Sequence, residues 1–119
     1  MPKLVRSLPF IALGKNKIQG LIRVDELDFI FEFEVGFFKK KVKEIRVLID
    51  DIECVEFKKN IFKKLLIITT HSLKILRDIP GNNCGKIEVY ILKENVKIAE
   101  DLVRFWQLKS SENSLDEIL

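Results

Sequence analysis

Residues 27–35 alternate apolar and polar side chains, and this feature constrains the fold of the chain most. Leu, Phe, Phe, Phe and Val occupy every second position of the segment, and acidic residues hold most positions between them. A period of two is typical of a β-strand that turns one face to a core and the other to solvent. The segment therefore predicts an amphipathic strand whose polar side is broken by Ile30 alone.

Six further segments have the alternation or the β-branched composition of strands, and they follow one another closely. Residues 65–70 are apolar on both sides, which is typical of a central strand covered on both faces. The stretch 80–85, rich in Gly and Asn, is the strongest turn signal. The predicted strands are residues 18–24, 27–35, 42–49, 52–58, 65–70, 72–79 and 86–92.

The hydrophobic period changes after Lys93 and predicts a single amphipathic helix that ends near Leu108. Trp106, the only tryptophan, lies on its apolar side and is expected in the core. The polar, acidic residues 109–119 are expected to form a flexible tail. The apolar residues that recur at steps of three and four are Val96, Ala99, Leu102, Val103 and Trp106.

The 119 residues are enough for one domain, predicted over residues 1–108 with its core in about 17–108. The order of elements indicates a mainly β class with one C-terminal α-helix. Seven antiparallel strands are expected to curl into a partly open barrel of two orthogonal sheets, and the helix is expected to cap one open end.

Three parts of the chain resemble the pleckstrin-homology-like fold, in particular the small bacterial proteins of that fold. They are Val24-Asp25-Glu26-Leu27-Asp28-Phe29 at the start of the second strand, the acidic connection within residues 47–57, and the helix that ends in Trp106. The resemblance covers about residues 17–108. It implies the seven-stranded barrel capped by a helix, and in classical members a basic loop of the first hairpin holds inositol phosphates. Here that hairpin is acidic.

The composition argues against several functions. A formal net charge of +3 is far below that of a dedicated nucleic-acid binder, so nucleic acid is an unlikely partner. Cys54, Cys84 and His71 have no metal-binding spacing, and no catalytic or cofactor motif is present. We therefore expect no enzyme activity, no catalytic residue, no metal, no cofactor and no small-molecule substrate. Reduced cysteines and the lack of a signal-peptide pattern predict a cytoplasmic protein, which leaves open a peripheral contact with a membrane surface.

Two basic clusters are the candidate contact sites. Each combines lysines with apolar side chains at a predicted turn, the second around Ile61 and Phe62. By alternation from Phe33, Phe37 is expected to point inward and Phe38 outward. The candidate contact residues are Phe38, Lys39, Lys40, Lys41 and Lys43 in the first cluster and Lys58, Lys59, Lys63 and Lys64 in the second.

These observations predict a non-enzymatic interaction module that binds a protein partner or associates with itself, through a sheet edge or the barrel end opposite the helix. The alternative is a peripheral binder of anionic lipid headgroups, because lysines near an anionic membrane contribute about 1 kcal/mol each. A weaker alternative is single-stranded nucleic-acid binding on a β-face. The commonest role of lysines at such turns is simpler, since they keep sheet edges from pairing with other chains.

Overall fold

The computed structural model describes residues 7–13, 17–25, 28–35, 41–79 and 82–118. Within them the chain forms seven β-strands, two short 3-10 turns and one long helix. The elements are β1 (Leu8–Leu13), β2 (Lys17–Val24), β3 (Asp28–Val35), β4 (Lys41–Leu48), η1 (Ile49–Asp51), β5 (Ile52–Lys59), β6 (Lys64–Thr70), β7 (Lys86–Tyr90), η2 (Lys93–Asn95) and α1 (Val96–Ile118). The mainly β class and the C-terminal helix predicted from the sequence are confirmed.

All seven strands belong to one antiparallel sheet in the order β4-β3-β2-β1-β7-β6-β5. The expected division into two separate sheets is not found, but the joint between the halves is narrow. Within the described part of the chain, one residue pair, Ile11 with Tyr90, joins β1 to β7. The sheet is not closed, and its two edge strands, β4 and β5, are consecutive in the chain and linked by η1.

The first strand was not predicted from the sequence. β1 pairs along its whole length with β2, from Leu8 opposite Ile22 to Leu13 opposite Lys17. Its second residue is Pro9, which lacks a backbone N–H. The strand tolerates this residue because it is paired with β7 only at Ile11, and a proline is harmless where no ladder hydrogen bond is required.

The predicted strand at residues 72–79 is wrong. This segment is a series of turns closed by backbone hydrogen bonds from Arg77 N–H to Lys74 O (3.2 Å) and from Ile79 N–H to Leu76 O (3.0 Å). Leu76 and Ile79 are fully buried. Their spacing of three residues places both side chains inward in a turn, whereas in a strand they would point to opposite faces. The Asn82 side chain fastens the segment by donating to Ile79 O (2.7 Å).

One face of the sheet carries the core. Phe29, Phe31 and Phe33 of β3 are almost completely buried there, as their alternation predicts. Ile30 points to the opposite, outer face, yet it is also buried. The register places Arg23 and Arg46 directly on either side of it. The aliphatic stems of arginines commonly cover apolar surface in this way, which accounts for an isoleucine on a charged face.

The helix α1 packs against β5 and η1 and adds Ala99 and Leu102 to the core. Trp106 lies against this core but is only half-buried, so it is less enclosed than its place on the apolar side suggested. The helix continues beyond the predicted end at Leu108 to Ile118. Residues 109–118 contain neither Gly nor Pro, so no strong helix breaker stops it at the predicted position.

Candidate interaction surfaces

The edge strand β4 is a regular strand with one side open. Its eight residues pair with β3 in unbroken register, from Lys41 opposite Val35 to Leu48 opposite Asp28, and no other described strand pairs with it. Two apolar side chains on its outer face stay in solvent, Val42 at 69% and Leu48 at 52% exposure. An edge strand with unpaired backbone groups and exposed apolar side chains is a template for strand addition.

Alternating charges separate the two apolar side chains of this edge. Glu44 and Arg46 lie between Val42 and Leu48 on the outer face, and Arg46 Nη2 is 3.3 Å from Glu44 Oε1. Arg46 also contacts Asp28 (3.4 Å), and Arg23 contacts both Glu32 and Glu44. Pairs as exposed as these contribute little stability. Apart from each other, the partners of Glu44 and Arg46 lie on β2 and β3, so these contacts place the two side chains over the outer face of the sheet.

The turn between β5 and β6 has an apolar tip. Ile61 and Phe62 are 89% and 91% exposed, more than any other large apolar side chains of the described chain. The Asn60 side chain accepts hydrogen bonds from the backbone N–H groups of Phe62 (2.9 Å) and Lys63 (2.7 Å). Because these bonds fix the turn, the two apolar side chains project from a defined loop.

The predicted lysines do not form one site in the described structure. Lys41 and Lys43 are exposed at the start of β4, whereas the second cluster flanks the turn after β5, the opposite edge strand. Lys59 Nζ forms an ion pair with Glu100 Oε2 of α1 (3.2 Å), and Lys58 Nζ lies 4.0 Å from Glu56 Oε2. Phe38, Lys39 and Lys40, like Phe37, lie outside the described residues. Lys63 is exposed and Lys64 half-buried.

The apolar members of both surfaces are not among the contact residues that the sequence predicts. The pattern of residues 42–49 predicts a strand, but it does not indicate that this strand is an edge, because the pairing order cannot be read from composition. Ile61 and Phe62 were noted only as neighbours of lysines. One local signal was available for them, since two large apolar residues follow Asn60 at a predicted turn, where polar residues are usual.

A groove of about 360 Å³ lies beside the start of β4, over strands β1 to β3. Its wall is largely apolar, and Glu32 and Glu34 supply its charged groups. Val42 belongs to this wall, so the exposed apolar surface of the edge is continuous with the groove. The groove enlarges the area that a partner at β4 would cover.

The two cysteines belong neither to β4 nor to the β5–β6 turn. Cys84 is exposed in the loop before β7. Partial burial raises the pKa of the Cys54 thiol, as do its hydrogen bond to Glu56 (3.4 Å) and the nearby charges of Glu56 and Glu53. In the described part of the chain no three His, Cys, Asp or Glu side chains group closely enough to hold a metal ion.

The helix α1 carries charged residues along its length. Among the described residues no helix combines the length and apolar character that crossing a bilayer requires. Comparison with protein-family models, curated proteins and solved structures gave no match. The open edge β4 and the apolar β5–β6 turn are therefore the observations on which a function can be proposed.

Proposed function

We propose that this chain is a non-enzymatic interaction module of pleckstrin-homology-like fold that binds a protein, another chain or a second copy of itself, through the edge strand β4. The order of seven antiparallel strands followed by one helix supports the fold. One observation carries the function, namely the edge strand β4, which pairs with β3 without a break and with no other described strand, and which exposes Val42 and Leu48 on the same face.

Strand addition suits this edge for two reasons. Along its open side no described strand pairs with the backbone N–H and C=O groups of β4, and hydrogen bonds to such groups supply affinity that does not depend on the partner's sequence. The side chains at alternate positions then select the partner. At β4 these are two apolar side chains at the ends and Glu44 and Arg46 between them, so the favoured partner is a strand with apolar side chains at matching ends and opposite charges between.

Photo-crosslinking tests the proposal. A photoreactive amino acid is placed at Val42 or Leu48 of the full chain, and irradiation is carried out in cells that produce the protein naturally. Leu73 has the same exposure as Val42 (69%) but lies in the turns after β6, so it is the matched control. We expect defined protein adducts, with another chain or with a second copy, from positions 42 and 48 and none from 73. Equal adduct patterns from all three positions, or none from β4, would overturn the proposal.

A second candidate function is weak binding to an anionic membrane through the β5–β6 turn. The specific support is the exposure of Ile61 and Phe62 between lysines. Apolar side chains can enter the headgroup region while the lysines remain at the charged surface. Lys58 and Lys63 are the more accessible charges, because Lys59 is engaged by Glu100.

Co-sedimentation with vesicles tests the membrane proposal. We expect binding to vesicles of phosphatidylcholine with phosphatidylserine and none to phosphatidylcholine alone. The variant Lys58→Glu/Lys63→Glu should weaken binding by more than about tenfold, because each lysine contributes about 1 kcal/mol. Ile61→Ser/Phe62→Ser should also release the protein, whereas Leu73→Ser, which removes an exposed leucine elsewhere, should not. Wild-type protein that stays in the supernatant with both vesicle types would refute this candidate.

A further inference from the structure

We infer that the partner of β4 is β4 of a second copy of this chain, paired antiparallel across a two-fold axis that passes beside Ile45. This inference rests on the proposed function of the edge and names its occupant. It follows from the order of side chains along the strand, which becomes complementary to itself when the strand is reversed.

The pleat of the sheet limits the registers that such a pair can adopt. Opposed residues of an antiparallel pair point to the same face, so outer-face residues must oppose outer-face residues. The outer face of β4 carries the even-numbered residues 42, 44, 46 and 48, as their pairing with Glu34, Glu32, Ile30 and Asp28 of β3 shows. The two strands overlap over most of their length, with outer-face residues opposed, only when the two-fold axis passes beside a residue near the middle of β4.

Charge selects one register among these. Centring the pair on Glu44 would oppose two Glu44 carboxylates, and centring it on Arg46 would oppose two guanidinium groups. Centring it on Ile45 opposes Glu44 of each copy to Arg46 of the other, and like charges nowhere meet on the outer face. Opposite charges directly across an antiparallel pair stabilise it, and like charges destabilise it.

The same register also matches the apolar ends. Val42 of each copy lies opposite Leu48 of the other, so the two exposed apolar side chains of the edge cover one another. At the strand ends, the basic residues Lys41 and Lys43 approach the end of the second copy's strand, where Asp50 and Asp51 follow. Every contact away from the axis occurs twice, as a two-fold interface requires.

The ion pairs within one chain leave room for this arrangement. Glu44 and Arg46 contact each other and their neighbours on β2 and β3, yet their side chains are 41% and 57% exposed. Arginine has several N–H donors, so Arg46 can keep Asp28 and still donate across the new interface. The dimer would continue the sheet from one copy into the other and remove the open edge at β4.

A charge-reversal experiment with the full chain tests the register. In Glu44→Lys each central pair of a homodimer becomes two cations, and in Arg46→Glu it becomes two anions. When the two variants are mixed, residue 44 of one again opposes an opposite charge at residue 46 of the other, in both central pairs. Each variant is thus the matched control of the other.

Sedimentation equilibrium supplies the readout. We expect wild-type protein at twice the chain mass of 13.9 kDa, and a dissociation constant raised roughly tenfold or more for each variant alone. An equimolar mixture should regain dimer as the heterodimer, detected with a fluorescent label on one variant. Far-UV circular dichroism shows that each variant is folded.

A wild-type protein that remains monomeric over the whole accessible concentration range overturns the inference. So does a mixture that associates no better than its components. In either case, adducts of another protein at positions 42 and 48 would still support the proposed function of the edge. A lack of β4-specific adducts with any protein would refute that function separately.

Discussion

Replacing Gly20 by alanine is expected to lower the free energy of unfolding by about 1–3 kcal/mol, the usual cost of overpacking a core, and valine should cost more. Gly20 lies inside β2, where a residue without a side chain is unusual. A Cβ atom there would lie 2.5 Å from Cζ of Phe10 and 2.6 Å from the backbone oxygen of Glu32. Real Cβ contacts are not this short, so the ring or the strand must move.

Neither neighbour can move cheaply. Phe10 lies opposite Gly20 in the β1–β2 register and is 2% exposed, so its ring is held by the core. The Glu32 oxygen belongs to β3, which is paired on both sides. Urea unfolding followed by circular dichroism measures the effect. Gln19→Val, an exposed position of the same strand, is the matched control and should change stability by less than about 0.5 kcal/mol.

A double-mutant cycle identifies the cause of the Gly20 effect. If the ring of Phe10 is the main obstacle, Phe10→Leu should make Gly20→Ala less costly than it is in the wild-type background. Full additivity of the two changes would instead place the clash at the Glu32 backbone. A Gly20→Ala protein as stable as wild type would contradict the close packing of β1 on β2.

The local patterns in the sequence predicted the elements that have a strong period. Residues 27–35 alternate over a long stretch, and the corresponding β3 buries Phe29, Phe31 and Phe33 as expected. The start of the helix was equally readable, because the apolar residues after Lys93 change their spacing. Period is a property of consecutive residues, so it can be recognised without knowing the fold.

Two segments, β1 and residues 72–79, were not predicted correctly. Their structure depends on residues that are distant in the sequence. β1 is a strand because β2 pairs with it along its whole length. Residues 72–79 resemble a strand by composition, but the chain turns at Thr70, whose backbone N–H donates to Gly85 O (2.9 Å) and whose hydroxyl contacts Ser72 O (2.8 Å) and Gly85 O (3.3 Å). Gly85 lies 15 residues away in the sequence, so its part in the turn has no signature in the segment itself.

The candidate surfaces were predictable only in part, for the same reason. The sequence identifies the lysines at the β3–β4 and β5–β6 connections, because charge is visible in the residues. It cannot indicate that β4 is an edge, since that depends on the order of all seven strands. Only the strand order shows that the exposed Val42 and Leu48 lie on an edge. The self-complementary arrangement of side chains along β4 is therefore recognisable only after the sheet is known.

Replacing Leu102 by alanine is expected to lower the free energy of unfolding by about 2–5 kcal/mol, the range for a buried leucine. Leu102 is 1% exposed on the face of α1 that packs against β5 and η1, so its loss leaves a cavity between helix and sheet. Arg104→Ala is the control on the same helix, since Arg104 is exposed and its contact to Asp101 is long (4.0 Å). Urea unfolding followed by circular dichroism measures both variants.

A substitution of Trp106 tests which side chains hold the helix against the sheet. It lies one turn beyond Leu102, half-buried, and its indole N–H is buried without a hydrogen-bond acceptor among the described residues. Trp106→Phe removes this unsatisfied donor together with some packing, so the two effects partly cancel and the net cost should stay below about 1 kcal/mol. Leu102→Ala should therefore destabilise the protein more than Trp106→Phe does. The reverse order would mean that the helix is anchored by Trp106, and that Leu102 is not the centre of its contact with the sheet.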